Sequence, residues 1–197
     1  MPSNTPTTPV RRPRMTSDRE LELLACCLEI LREVGYEALT MEAVAARGRC
    51  SKATLYRLWV GKPQLVAAAL YTVRPADAST IDTGTLRGDL VAFVGMLVVQ
   101  AEKDTALVAG LAHAALTDRA LALALNDTLT APEHLAAFVD RAVARGELPA
   151  RPAATAFVPQ MLFTALFTRP LFEGAYSDLD YLVRFIDSVL LPALLHS

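Results

Sequence analysis

From Leu21 onward, apolar residues return every three or four positions, in stretches closed by glycine, proline and short polar clusters. That period marks helices with one buried face, and no stretch alternates convincingly as a half-buried strand would. The chain is therefore expected to be all-α. Beyond residue 84 the spacing predicts helices over Thr85–Lys103, Asp104–Leu116, Asp118–Leu129, Pro132–Gly146, Pro152–Phe172 and Ser177–Leu195. Pro159 lies inside a helical pattern and is expected to kink or divide it.

The front of the chain is organised differently, in shorter pieces. Asp18 and Glu20 sit where a first turn favours carboxylates, and Leu21, Leu24, Leu28, Leu31 and Val34 form a stripe that Gly35 ends. Thr40 caps a short second helix with Met41, Val44 and Ala45 on its apolar side. Gly48-Arg49-Cys50 interrupts it. Ser51 caps a third helix whose inner side is Leu55, Leu58 and Trp59, and Pro63 suits the first turn of a fourth. The reading divides the chain into an arm (1–15), a DNA-binding head (16–62), a connecting helix and linker (63–84) and a body (85–197).

Composition narrows the class. Of 197 residues 53% are hydrophobic, and mean hydropathy is +0.32, which leaves apolar surface for a partner after a core is built. The richest apolar run, Leu90 to Ala101, is shorter than the roughly 18 residues a membrane helix needs. Met1 to Arg14 lacks the apolar stretch of a signal peptide, so a cytoplasmic protein without membrane partners is expected. Cys26, Cys27 and Cys50 have no disulfide or zinc spacing and read as small buried hydrophobes; no metal or cofactor is expected. Residues 1–62 carry ten Lys or Arg against seven Asp or Glu, whereas 63–197 carry nine against fourteen. A basic head on an acidic body suits phosphate binding. Arg11, Arg12 and Arg14 fit either a solvated tail or an arm that follows the DNA backbone or enters a minor groove.

Two short helices joined by a tight turn, the second basic and rich in hydroxyls, describe a helix-turn-helix. Its second helix must offer polar side chains to base edges while apolar contacts lock its inner face. Thr40-Met41-Glu42-Ala43-Val44-Ala45-Ala46-Arg47, then Ser51-Lys52-Ala53-Thr54-Leu55-Tyr56-Arg57-Leu58-Trp59, then Gly61-Lys62-Pro63-Gln64-Leu65, resembles the TetR/AcrR family of bacterial regulators, in its actinobacterial style. More weakly, Arg141 to Pro149 is similar to the close of a long helix in that family, and Phe163 to Phe185 to its last two helices. One departure stands out. Relatives place glycine where this chain has Arg49, with Gly48 one position earlier, so either Arg49 takes a strained backbone or the bend is shifted.

The resemblance implies roles. Lys52, Ala53 and Thr54 would face bases, with Arg57 at the edge of base or phosphate contact. Thr40, Ser51, Tyr56 and Lys62 would hold phosphates, and an exposed Arg49 would add another contact. Thr40 and Ser51 also serve as caps, Tyr56 fits partial core packing equally well, and Trp59 reads as core. An effector pocket is expected among Phe93, Met96, Gln100, His113, Leu116, Phe138, Met161 and Phe163, and the scarcity of charge there suggests an apolar or weakly polar small molecule. Phe167, Tyr181, Phe185, Leu190 and Leu194 are expected at a homodimer interface that lets two heads span successive major grooves of a double-stranded DNA operator. The expected activity is that of a ligand-responsive transcription regulator, a repressor by family habit. An all-helical enzyme, or a scaffold with a non-functional head, stays as the alternative; no paired carboxylates, nucleophile triad or glycine-rich phosphate loop favours the enzyme.

Overall fold

The computed structural model describes residues 17–73, 80–129 and 133–196, and every regular element among them is helical. The arginines of the 1–15 arm lie outside the described residues. Four helices come first: α1 (Ser17–Ala38), α2 (Met41–Arg47), α3 (Lys52–Leu58) and α4 (Lys62–Thr72). Gly35 breaks the backbone of α1 at φ 76° and ψ 175°, so Tyr36 and Leu39 turn back into the core. Leu23, Leu24, Cys27, Leu28, Ile30 and Leu31 are the buried face of α1, whereas Leu21 and Val34 stand half-exposed at its rim. Burial pushes the Cys27 thiol up to about 12, which leaves it an inert core group.

One helix unites the molecule. The sequence breaks at Lys103-Asp104, but the structure runs straight through it as α5, Leu86–Ala115, roughly 45 Å long at the usual rise. Asp104 does not end a helix; it is buried where α5 crosses α1 and accepts a hydrogen bond from Arg32 Nε at 2.9 Å. A charged pair that looked like a boundary is thus an ion-paired crossing point.

α5 serves two cores. Its C-terminal half gives Leu107, Leu111 and Ala114 to a cluster built from α1 to α4, which Leu121 and Leu125 of α6 (Arg119–Leu129) complete. The segment expected as a connector therefore contains α4, a full member of the head's core. The N-terminal half of α5 gives Leu86, Leu90 and Val94 to a second cluster. Its other walls are α7 (Glu133–Ala144), α8 (Val158–Phe167) and a terminal rod of α10 (Leu179–Phe185), a π-helical turn (Ile186–Leu190) and α11 (Leu191–Leu195). Between α8 and the rod lies the short α9 (Arg169–Glu173), closed by Gly174 at φ 67°.

Two prolines explain local shape. Pro159 divides rather than kinks: it sits in the first turn of α8, where no N–H is needed, after a 3₁₀ turn over Ala153–Phe157. Pro192 lies just beyond the π turn, and the wider turn accommodates the missing N–H without ending the rod.

Candidate nucleic-acid interface

The recognition unit is assembled from its caps. Thr40 Oγ1 accepts from Ala43 N at 3.1 Å and starts α2; Ser51 Oγ accepts from Thr54 N at 3.1 Å and starts α3. Thr54 Oγ1 lies 2.9 Å from Ser51 Oγ, which fixes both hydroxyls at the front of α3. Leu55 is fully buried, with Leu58 and Trp59 packed half-buried against the same core. Lys52, Ala53, Tyr56 and Arg57 are consequently exposed, and Thr54 half-buried. Tyr56 keeps 52% of its surface, so it stands out from the core rather than inside it.

The turn resolves the misplaced glycine. Arg49 adopts the left-handed backbone at φ 47°, while Gly48 sits at φ −78°. Gly48 is required for closeness instead: a Cβ there would lie 2.3 Å from Leu23 Cδ2 and 3.1 Å from the Val44 carbonyl. Arg19 donates to the Gly48 carbonyl and braces the turn from α1. The strain is thus borne by a long, exposed cation beside α3.

Charges on this surface differ in their freedom. Lys52 pairs with Glu42 of α2, and that pairing holds the Glu42 carboxyl below its ordinary range. Arg47 is engaged by Glu33 through two bonds of 2.8 and 2.7 Å. Arg49 and Arg57 have no acidic partner among the described residues. Lys62, at the start of α4, donates to the Glu37 carbonyl at 3.2 Å and lies 4.1 Å from the centroid of the Tyr36 ring. Burial lowers its pKa, so it is a half-sheltered cation rather than a free one.

The body agrees with the sequence in part. Phe93 meets Phe138 edge-on at 5.7 Å inside the second core, where Met161 is half-buried, and half-buried Phe163 lies 5.1 Å from Phe167. Met96, His113 and Leu116 depart from the expected pocket. Leu116 is 83% exposed and His113 is also exposed, because the end of α5 runs beside the head and away from the second core. The side chain of Gln100 lies outside the described ones. Phe167, Tyr181 and Phe185 are half-buried and remain available to a partner, but Leu190 and Leu194 do not. Both point into their own protomer's core, at 0% and 1% exposure, and cannot form a subunit interface as expected. On the rod's outer side, Val189 and Leu195 are exposed instead.

Three polar links escaped the sequence reading. Tyr36 donates to Asp118, Arg32 to Asp104, and fully buried Asp89 receives Thr83 N and Oγ1 at 2.7 and 2.9 Å with Arg141 at 3.3 Å. Each joins residues distant in sequence, so no local spacing reveals them. Only the paired arginines of Arg141 to Arg145, in a segment already singled out, hinted at the last.

Comparison with known proteins decides what this surface belongs to. Residues 23–69 match the family described as bacterial regulatory proteins, tetR family, and residues 80–189 match the tetracyclin repressor-like C-terminal domain. A helix-turn-helix-type transcriptional regulator of Mycobacterium bovis, itself uncharacterized, is 35% identical over 191 residues, covering 94% of this chain and 92% of its own. The chain belongs to the TetR family of transcription regulators. A DNA-binding transcriptional repressor named TetR from Mycobacteroides abscessus is 36% identical over 184 residues, covering 88% of this chain and 92% of the relative. Among solved structures, a TetR family transcription regulator superposes with a TM-score of 0.71 at 25% identity, covering 90% of this chain and 98% of that one. The fold alone is shared with FadR of Bacillus subtilis, solved in complex with stearoyl-CoA, at a TM-score of 0.61 and 15% identity, covering 88% and 97% of the two chains. In this TetR-family protein the matched N-terminal family segment spans α2, α3 and most of α4. No helix among the described residues is long and apolar enough to cross a membrane.

Proposed function

We propose that this TetR-family regulator is a homodimeric repressor that grips a two-fold-symmetric operator and releases it on binding a small apolar or weakly polar molecule. The observation that carries the reading is the outward face of α3, whose Lys52, Ala53, Tyr56 and Arg57 are exposed while Leu55 anchors the opposite side. Such a helix serves a major groove, with bases read from its front turn and phosphates held at its flanks. Lys52, Ala53 and Thr54 take the base edges; Thr40, Arg49, Ser51, Tyr56, Arg57 and Lys62 take the backbone.

Two further features support the regulatory half. Phe93, Met161 and Phe163 provide apolar surface between α5 and α8, suited to an apolar effector. The same α5 enters the head's core, so a ligand that favours one placement of α5 favours one separation of the two heads. Phe167, Tyr181 and Phe185, with Val189 and Leu195 on the same terminal helices, supply the partner surface.

Selection of bound fragments from a random duplex pool tests the proposal. A recovered site with two inverted halves, bound by a dimer in sedimentation, is the expected result. Recovery of no enriched sequence, or binding by a single subunit, rejects it.

A further inference from the structure

We infer that Glu42 sets operator specificity by holding Lys52 in an internal ion pair, so that the ammonium passes to DNA only where base contacts accompany it. The inference rests on the reading of α3 as the DNA-facing helix and concerns a residue on α2 that this reading leaves without a role. Lys52 is the first residue of α3, and Glu42 the second of α2; their ion pair spans the turn between the two helices. A cation in a helix's first turn meets unpaired N–H groups of like sign, and Glu42 supplies the opposite charge that Lys52 needs there. The carboxylate itself is well placed, in the first turn of its own helix.

The pair is built to open. Both side chains keep 55% of their surface, so water and phosphate reach them and the pair's own stability is small. Arg49 and Arg57 on the same unit have no acidic partner among the described residues, and they supply attraction to any duplex. Lys52 is different: a lone phosphate merely exchanges one anionic partner for another. A phosphate or base edge at the operator adds the contacts of Ala53 and Thr54 beside it, and the exchange becomes favourable. Glu42 thus lowers affinity for all DNA but lowers it most for the wrong DNA, which is discrimination by an internal competitor.

The test uses full-length protein carrying Glu42→Gln, Lys52→Ala or both, titrated at several salt concentrations against two probes. One probe is a short duplex of arbitrary sequence, and the other is the palindromic duplex recovered by selection. Both positions are solvent-exposed, and thermal melts of each variant verify the fold. E42Q is expected to bind the arbitrary duplex about two- to fivefold more tightly. The salt slope on that duplex should steepen by roughly 0.9, one additional phosphate neutralised. The ratio of operator to arbitrary affinity should fall accordingly. In the K52A background E42Q should change neither quantity on either probe. An equal gain in that background makes Glu42 a general repulsive charge and overturns the inference. K52A weakening binding while E42Q changes nothing overturns it too, with the DNA face intact. If K52A also leaves both probes unaffected, the assignment of α3 to DNA fails along with it.

Discussion

The Tyr36 hydroxyl donates a 2.6 Å hydrogen bond to Asp118 Oδ2, while Asp118 Oδ1 accepts from Leu121 N at 3.0 Å. One carboxylate therefore caps α6 and anchors the link that leads into the helix-turn-helix. Lys62, stacked on the Tyr36 ring, joins the start of α4 to the same group. Burial, then the Asp118 bond, raises the Tyr36 pKa, so the phenol stays protonated and remains a donor throughout the physiological range. Its other consequence is mechanical, because α6 belongs to the body's sequence and the link to the head.

Tyr36→Phe removes that bond while keeping the ring beneath Lys62. The expected loss is about 1 kcal/mol of stability, since the Asp118 oxygen stays able to meet water. The melting temperature should fall, and the salt slope of DNA binding should stay as it was. A variant that melts with the parent protein would show that the bond holds nothing.

Lys62→Ala addresses a phosphate contact rather than a fold contact. It should weaken binding to every duplex and reduce the salt slope by about 0.9, because a phosphate cation carries no sequence information. The measurement is a salt titration on the selected operator and on arbitrary DNA. A change in base preference would show that Lys62 reads bases.

Asp89 makes the fold acid-sensitive. Burial alone would raise its pKa, but the Thr83 donors and then Arg141 outweigh it and hold the carboxyl below its ordinary value. A folded-state pKa below the unfolded one contributes stability above the ordinary carboxylate range, lost as pH falls through that range toward the folded value. Asp89→Asn should therefore cost on the order of 2 kcal/mol at neutral pH, since Arg141 and Arg145 lose a buried partner. It should also flatten the acid limb of the stability curve. Denaturant midpoints at neutral and acid pH check both halves.

What was legible in the chain was the local chemistry. The caps at Thr40 and Ser51 and the inner face of Leu55 follow from residues within one turn of each other, and local spacing carries that information. Partners far along the chain do not show. Lys103-Asp104 reads as an end because a charged pair in an apolar helix has no visible partner; Arg32 lies 72 positions away. Leu190 and Val189 show the same limit on one rod. Periodicity says that a helix has an apolar side, but two apolar sides, one for the core and one for a partner, are told apart only by packing.

That distinction yields opposite outcomes at adjacent residues. Val189→Asp should leave the protomer folded but shift it from dimer to monomer, since Val189 is 42% exposed. Leu190→Ala should instead destabilise the fold by about 2–5 kcal/mol, the cost of emptying a fully buried site. Sedimentation and thermal melts separate the two; a dimer unaffected by Val189→Asp would place the interface elsewhere.

The turn between α2 and α3 offers a paired prediction in which stability and affinity part. Arg49 holds a left-handed backbone that a side chain adopts only at a cost, and glycine adopts it freely. Arg49→Gly should stabilise the protein by about 0.5–1 kcal/mol. The same change removes an exposed cation without an acidic partner, so binding to every duplex should weaken and its salt dependence should lessen. Gly48→Ala works the other way on the fold. Its Cβ would meet Leu23 Cδ2 at 2.3 Å in a fully buried side chain, and the Val44 carbonyl behind it cannot retreat without unwinding α2. A loss of about 1–3 kcal/mol is expected. Because the displaced carbonyl lies in α2, the angle at which α3 is presented should change as well, and operator affinity should fall more than affinity for arbitrary DNA. If Arg49→Gly lowers stability, the left-handed turn is not the strained element; if it leaves DNA binding unaltered, Arg49 does not reach the backbone of the duplex.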